Sequence, residues 1–264
     1  MKVARIPYVN AEPFYSGWGD DPPFECVSMV PRELGAAARD GVIDAGLMAV
    51  ADWFRVDGTF DLIEPMLGIA AQKDVRSVVL FSHAGARGLD GGRVIVTRES
   101  STSRRLAQLL AVAHWKVEIE WVPEDEAQGD VHEAAGLLLI GDRALAQMAR
   151  PDRGGWERPI DLASEWWTWQ GVPFVFAIWA VRSALPRRER ERFGGFLSGS
   201  LALGSERLGE IAEAHAGPMG DAQSLRAYLE GITYRLGSEE LDGLQRFRDL
   251  LADHDIQEYE DARA

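Results

Sequence analysis

A single cysteine, Cys26, stands in the 264 residues of this chain, so no internal disulfide can form, which fits a reducing compartment. No Cys or His pairing has metal-ligand spacing, and the five histidines (His83, His114, His132, His215, His254) are scattered, so no metal is expected. Basic residues are few. The 28 Lys and Arg face 42 Asp and Glu, and the formal charge of −14 repels nucleic acid and anionic membrane surfaces, so neither is an expected partner. No apolar run reaches about 18 residues, and the opening MKVARIPYVNAEPF has no stretch of signal-peptide length. A cytoplasmic location is the expectation. Phosphate loops, G-x-S-x-G elbows, H-E-x-x-H helices and acidic calcium loops are also missing, and GLDGGR has neither the glycine spacing nor the strand-to-helix context of a dinucleotide site. What remains is a reaction without cofactor, or binding without reaction.

What is present is ample apolar material, 46% of the residues, arranged in short runs that alternate with helix signals. VARIPYV, FECVSMV and VIDAGLMAV read as strands, and Cys26 in the second of these reads as a core thiol. Between them PRELGAAARDG reads as a helix with Pro31 in its first turn and Gly41 after its last. Further strands are predicted at 66–71, 77–81, 93–97, 116–122 and 136–140, and VPFVFAIWAVR reads as a strand covered on both faces. From Pro186 onward the pattern turns helical, one helix starting at Ser238 with Glu239 and Glu240 behind it. Such alternation predicts an α/β protein with mixed, mainly parallel sheets. The late helices are expected to return to the first lobe: residues 1–82 begin lobe one, 83–176 form lobe two, and 177–264 complete lobe one. The chain then crosses near Ser82 and Phe176, above a ligand cleft.

Five clusters place polar groups at strand ends, where ligands of open α/β sheets bind. Asn10 follows the first strand, offering a donor and an acceptor, with Pro13 placed to start a helix; it also reads as a plain turn residue. Ser77 opens a strand, where a lone Ser is usually structural. Ser100, Ser101, Thr102 and Ser103 open a helix, where hydroxyls, uncapped N–H groups and the helix dipole together suit a carboxylate. One of the four would suffice as a simple cap. Gly141 and Asp142 open another helix, Asp142 serving either as its cap or as a carboxylate aimed into the cleft. Trp166, Trp167 and Trp169 line a pocket or, for at least two of them, pack in the core.

In order along the chain these pieces are Tyr8-Val9-Asn10-x-x-Pro13, Pro31-x-Glu33-Leu34 with Gly41-x-x-Asp44, Val75-x-Ser77-Val78, Ser100-x-Thr102-Ser103, Ile140-Gly141-Asp142-x-Ala144-Leu145, and Asp161-Leu162-x-x-Glu165-Trp166, followed by Gly171-x-Pro173-Phe174-x-Phe176-Ala177-x-Trp179. The series resembles the menaquinone biosynthesis family of the futalosine route. That resemblance implies a periplasmic-binding-protein-like fold of the second type. It also implies one of two activities: chorismate dehydratase, or the later 1,4-dihydroxy-6-naphthoate synthase. The synthase usually carries a Cys-Pro-Asn-Asp type motif after strand one, so Tyr8-Val9-Asn10 implies the dehydratase, with chorismate as substrate. A non-enzymatic small-acid-binding protein is the reading from another class. The implied catalytic set is Asn10, Ser77 and Asp142, and the implied binding set is Ser100 to Ser103, Gly141 and Pro173. Ala11, Ala49 and Gln170 depart from the family's usual pattern.

Overall fold

The structure, a computed structural model, describes residues 1–99, 101–150 and 152–256. The first half contains β1 (Lys2–Arg5), a 3-10 turn (Val9–Tyr15), β2 (Glu25–Ser28), α1 (Pro31–Arg39), β3 (Ala45–Ala49), α2 (Val50–Val56), β4 (Phe60–Leu62), β5 (Leu67–Ala71), β6 (Val78–Ser82), β7 (Gly92–Val96), α3 (Ser101–Leu109) and β8 (Ile119–Pro123). Then come β9 (Gly136–Ile140), α4 (Gly141–Ala149), β10 (Ile160–Asp161), α5 (Leu162–Gln170), β11 (Phe174–Arg182), α6 (Arg187–Glu206), α7 (Leu208–His215), α8 (Ala222–Glu230), β12 (Thr233–Arg235) and α9 (Ser238–Asp253). The expected punctuation of α1 and α9 is present. Glu33 accepts a hydrogen bond from the Val30 N–H, and Gly41 adopts a left-handed φ of 72° after the last turn. Glu240 accepts from the Gly237 N–H at the start of α9.

Among the described residues the strands form two sheets. The larger has the order β12-β5-β11-β3-β1-β2, with β4 also on β11; the smaller has β10-β6-β9-β7-β8. The chain therefore leaves the first sheet at residues 72–77 and returns at 171–173, earlier on both passages than Ser82 and Phe176, because Val78–Ser82 already pairs with β9 and Phe174 already pairs with β5. Both sheets are mixed, and antiparallel contacts exceed the expected share. Only β1/β2, β1/β3, β7/β8 and β7/β9 are parallel. Direction explains this: β1, β3, β5, β7 and β9 run toward the cleft, whereas β6 and β11 start at it and run away.

β11, flanked by β3 and β5, is buried almost throughout, as its continuous apolar run requires. Each large apolar side chain fully buried there contributes about 1.5–3 kcal/mol of transfer free energy. Trp166, Phe174 and Phe247 meet edge to face beside it, so Trp166 is core and Trp169 packs against the same cluster. Cys26 is not a core thiol. It is exposed, because β2 is an edge strand of the sheet.

α6 presses on the turn that follows β1. A Cβ on Gly204 would lie 2.1 Å from the Pro13 carbonyl oxygen, whereas one on Gly195, in the same helix, would meet nothing within 4 Å. Gly204→Ala should therefore lower stability by about 1–3 kcal/mol through overpacking. Gly195→Ala should be neutral or stabilising by about 0.5–1 kcal/mol through helix propensity. Thermal unfolding of the pair checks this, and equal midpoints would contradict the packing.

Candidate active site

The ends of β1, β3, β5, β7 and β9 and the starts of β6 and β11 surround one cavity between the sheets. About 70 Å³ of it is open to the centres of water-sized atoms, several times what one water needs. Ile6, Leu47, Ile69, Ile140 and Phe176 supply apolar wall, and Tyr8, Asn10, Ser77, Glu99, Thr102 and Ser103 supply polar groups.

Asn10 lies in the 3-10 turn after β1. That turn starts at Val9 and contains Pro13, rather than starting at Pro13. Arg5 grips Glu12 through both carboxylate oxygens at 2.9 and 3.1 Å, and the Ile6 N–H donates to the Tyr15 hydroxyl at 3.1 Å, which fixes the turn. Asn10 Oδ1 is buried with no hydrogen-bond partner among the described residues.

Ser77 is almost fully buried where the chain enters β6. The residue before it, Arg76, has a left-handed φ of 60°, a conformation that costs a non-glycine residue about 1–3 kcal/mol unless its surroundings enforce it. Asp161 enforces it: one carboxylate oxygen accepts from the Val75 and Arg76 N–H groups at 3.0 and 2.6 Å, and the other caps α5 at the Ala163 and Ser164 N–H groups. Burial pushes the Asp161 carboxyl upward, opposed by these backbone bonds. The Ser77 hydroxyl accepts from the Tyr228 hydroxyl at 2.9 Å, and its carbonyl accepts from the Gly141 N–H at 2.7 Å.

The hydroxyl run at α3 divides its work. Ser101 donates to Asp52 at 2.8 Å, and Thr102 accepts from the Ala51 N–H at 3.0 Å, so the N-termini of α2 and α3 meet across the cleft around the Asp52 carboxylate. Burial raises the Asp52 carboxyl from its ordinary value, with Ser101 opposing. Ser103 lines the cavity beside Thr102, and Ser100 lies outside the described residues.

Gly141 lines the cavity with a left-handed φ of 56°, and a Cβ there would sit 3.3 Å from the Tyr8 ring. Asp142 takes neither of its expected positions. It is absent from the cavity lining and does not cap its own helix, accepting instead from the Val9 N–H at 3.1 Å and so capping the opposite lobe's first turn. Burial raises its carboxyl as well. Pro173 is buried at the return crossing, its carbonyl oxygen 2.0 Å from where a Cβ on Gly243 would stand, and away from the lining. None of the three Trp lines the cavity. Among the departures, Ala49 lines the cavity, Ala11 is buried, and Gln170 accepts from Arg246 outside it.

Three lining or supporting residues escaped the sequence. Tyr8 donates to Glu99 at 2.7 Å across the cleft, and burial followed by that bond holds its hydroxyl far above the ordinary range. Tyr8 sits inside the quoted N-terminal motif and Glu99 directly before the hydroxyl run, so position alone could have pointed to both. Tyr228, 151 residues from Ser77, carries no local signal.

The profile of the family described as menaquinone biosynthesis matches residues 1–253. A chorismate dehydratase of Thermus thermophilus is 30% identical over 245 residues, covering 86% of this chain and 87% of that one. Among solved structures, protein AF1704 from Archaeoglobus fulgidus superposes with a TM-score of 0.75 at 17% identity, over 97% of this chain and 98% of that one. The periplasmic aliphatic sulphonate binding protein SsuA from Escherichia coli superposes at 0.63 with 14% identity, over 97% and 87%. These likenesses establish a two-lobed periplasmic-binding-protein-like fold. With the match running from the first strand to the last helix, the chain belongs to the menaquinone biosynthesis family.

Proposed function

We propose that this protein is a chorismate dehydratase, a hydro-lyase that converts chorismate to 3-[(1-carboxyvinyl)oxy]benzoate and water. The observation that carries the reading is the pairing of one orphaned acceptor with a hydroxyl-rich helix start in a single cavity. Chorismate at neutral pH has two carboxylates, which only accept hydrogen bonds, and one hydroxyl, at C4, which is its sole donor. Asn10 Oδ1 is the natural receiver for that hydroxyl, and the start of α3 with Ser103 suits a carboxylate. A chain at −14 attracts no dianion by its overall field, so local donors must do so.

In the reaction the C3–H bond and the C4–O bond break, the C3 electrons become part of the aromatic ring, and the proton leaves with hydroxide as water. Aromatisation drives the step, so the protein's work is orientation and charge stabilisation. Donors at the ring carboxylate would stabilise the charge that reaches it as C3 loses its proton. Asp142 is committed to the Val9 N–H outside the cavity, which favours the enolpyruvyl carboxylate of the substrate as proton acceptor. Glu99, held by Tyr8, is the single carboxylate among the described lining residues and the protein group to test against it. The exposed, unpaired Cys26 suits a cytoplasmic location, and no helix among the described residues is long and apolar enough to cross a membrane.

Purified protein incubated with chorismate should give a product lighter by one water, with the ultraviolet spectrum of a substituted benzoate. Chorismate bound and recovered unchanged would instead identify a binding protein. Asp142→Ala should raise KM about tenfold while holding kcat within about threefold, because it removes a charge-assisted bond between the lobes and no reacting group. A hundredfold loss of kcat with unchanged KM would return Asp142 to the chemistry.

A further inference from the structure

A dianion entering this cavity meets no positive side chain from its walls. Among the described lining residues there is no Lys, Arg or His, and the one charged group is Glu99. Arg143, two residues beyond the lining Gly141, is spent on Glu124 through two of its nitrogens. Like charges repel far more strongly in a partly desolvated cleft than in water, so Glu99 opposes a dicarboxylate unless something answers its charge. Tyr8 does so. Its hydroxyl donates to Glu99 Oε2 at 2.7 Å from the opposite lobe, and it is the one hydrogen-bond donor to that carboxylate among the described residues. The bond is as short as a phenol on a carboxylate should make it. Residue 141 leaves room for the ring behind that hydroxyl: a Cβ there would press on three Tyr8 ring atoms at 3.3 Å, and its φ of 56° suits glycine.

We propose, resting on the dehydratase reading, that Tyr8 is a positioning residue that lets this cavity accept a dianion: it anchors the Glu99 carboxylate at the cavity wall and answers its charge. Donor and acceptor come from different lobes, so the charge is answered only while the lobes face each other, the state that encloses a ligand. An open cleft leaves the same carboxylate to water. Without the phenol hydroxyl the carboxylate of the closed site has no donor and is free to turn toward the ligand. There it repels two carboxylates more than one, so the loss falls on dianions and spares monoanions of the same ring.

Tyr8→Phe removes the hydroxyl and keeps the ring. Calorimetric binding of 3-[(1-carboxyvinyl)oxy]benzoate, a dianion, and of benzoate, a monoanion, reads the effect. The variant should bind the dianion about tenfold more weakly and benzoate no more than about threefold more weakly. In Glu99→Gln the charge is gone, so adding Tyr8→Phe to it should change the dianion affinity by no more than about twofold. Equal losses for both ligands, or a Tyr8→Phe penalty that persists beside Glu99→Gln, would overturn the proposal and leave Tyr8 as a clamp between lobes only. Wild-type protein that neither binds nor turns over chorismate would defeat the dehydratase reading instead. A crystal structure of Tyr8→Phe without ligand then judges the anchoring by itself. The Glu99 carboxylate should leave its wild-type position and turn into the cavity, and a carboxylate that stays in place would overturn the proposal.

Discussion

The site exists only while the two sheets are held face to face, and hydrogen bonds across the cleft hold them. Tyr8 reaches Glu99, the Val9 N–H reaches Asp142, the Ala51 N–H reaches Thr102, and Ser101 reaches Asp52. Bonds of this kind contribute about 0.5–1.5 kcal/mol each when neutral and about 1.5–3 when one partner is charged. Their sum is on the scale of the binding energy of a small ligand. Burial of Asp52 and Asp142 works against the bonds they make, since their raised carboxyls show a charge that would be better solvated in an open cleft.

Within that frame the polar groups of the cavity are fixed from outside it. Asp161 holds a left-handed Arg76 and thereby places Ser77; Arg5, Glu12 and Tyr15 stiffen the turn that carries Asn10; Gly204 lets α6 seat under Pro13. Few of these supports touch the cavity. They suit a site that must hold a small flexible ligand in one orientation, where small misplacement is costly. The likeness to the sulphonate-binding protein concerns the scaffold alone, and the chemistry lies in which groups line the cleft.

Much of this was legible from residue order. Strand and helix positions followed from apolar runs punctuated by Pro31, Gly41 and Ser238, and Asn10, Ser77, Thr102, Ser103 and Gly141 stood at strand ends that the fold gathers around one cavity. What escaped shares a cause. The direction of Asp142 depends on a backbone N–H in the other lobe, the role of Tyr228 on a contact 151 residues away, and the exposure of Cys26 on whether its strand lies at an edge. Local pattern carries none of these, because each is decided by tertiary pairing. The excess of antiparallel strands escaped for the same reason: an apolar run looks alike whether it enters or leaves the cleft.

The central claim is that donors and one orphaned acceptor from two facing lobes converge on a single dicarboxylic acid. A crystal structure of the protein with 3-[(1-carboxyvinyl)oxy]benzoate tests it most directly. The account requires one carboxylate at the start of α3 beside Ser103 and ring carbon C4 turned toward Asn10 Oδ1, with the Ser77 hydroxyl within hydrogen-bond reach of the ligand. Ligand density outside the cleft, or a ligand in the cleft that touches neither Asn10 nor Ser77, would contradict it.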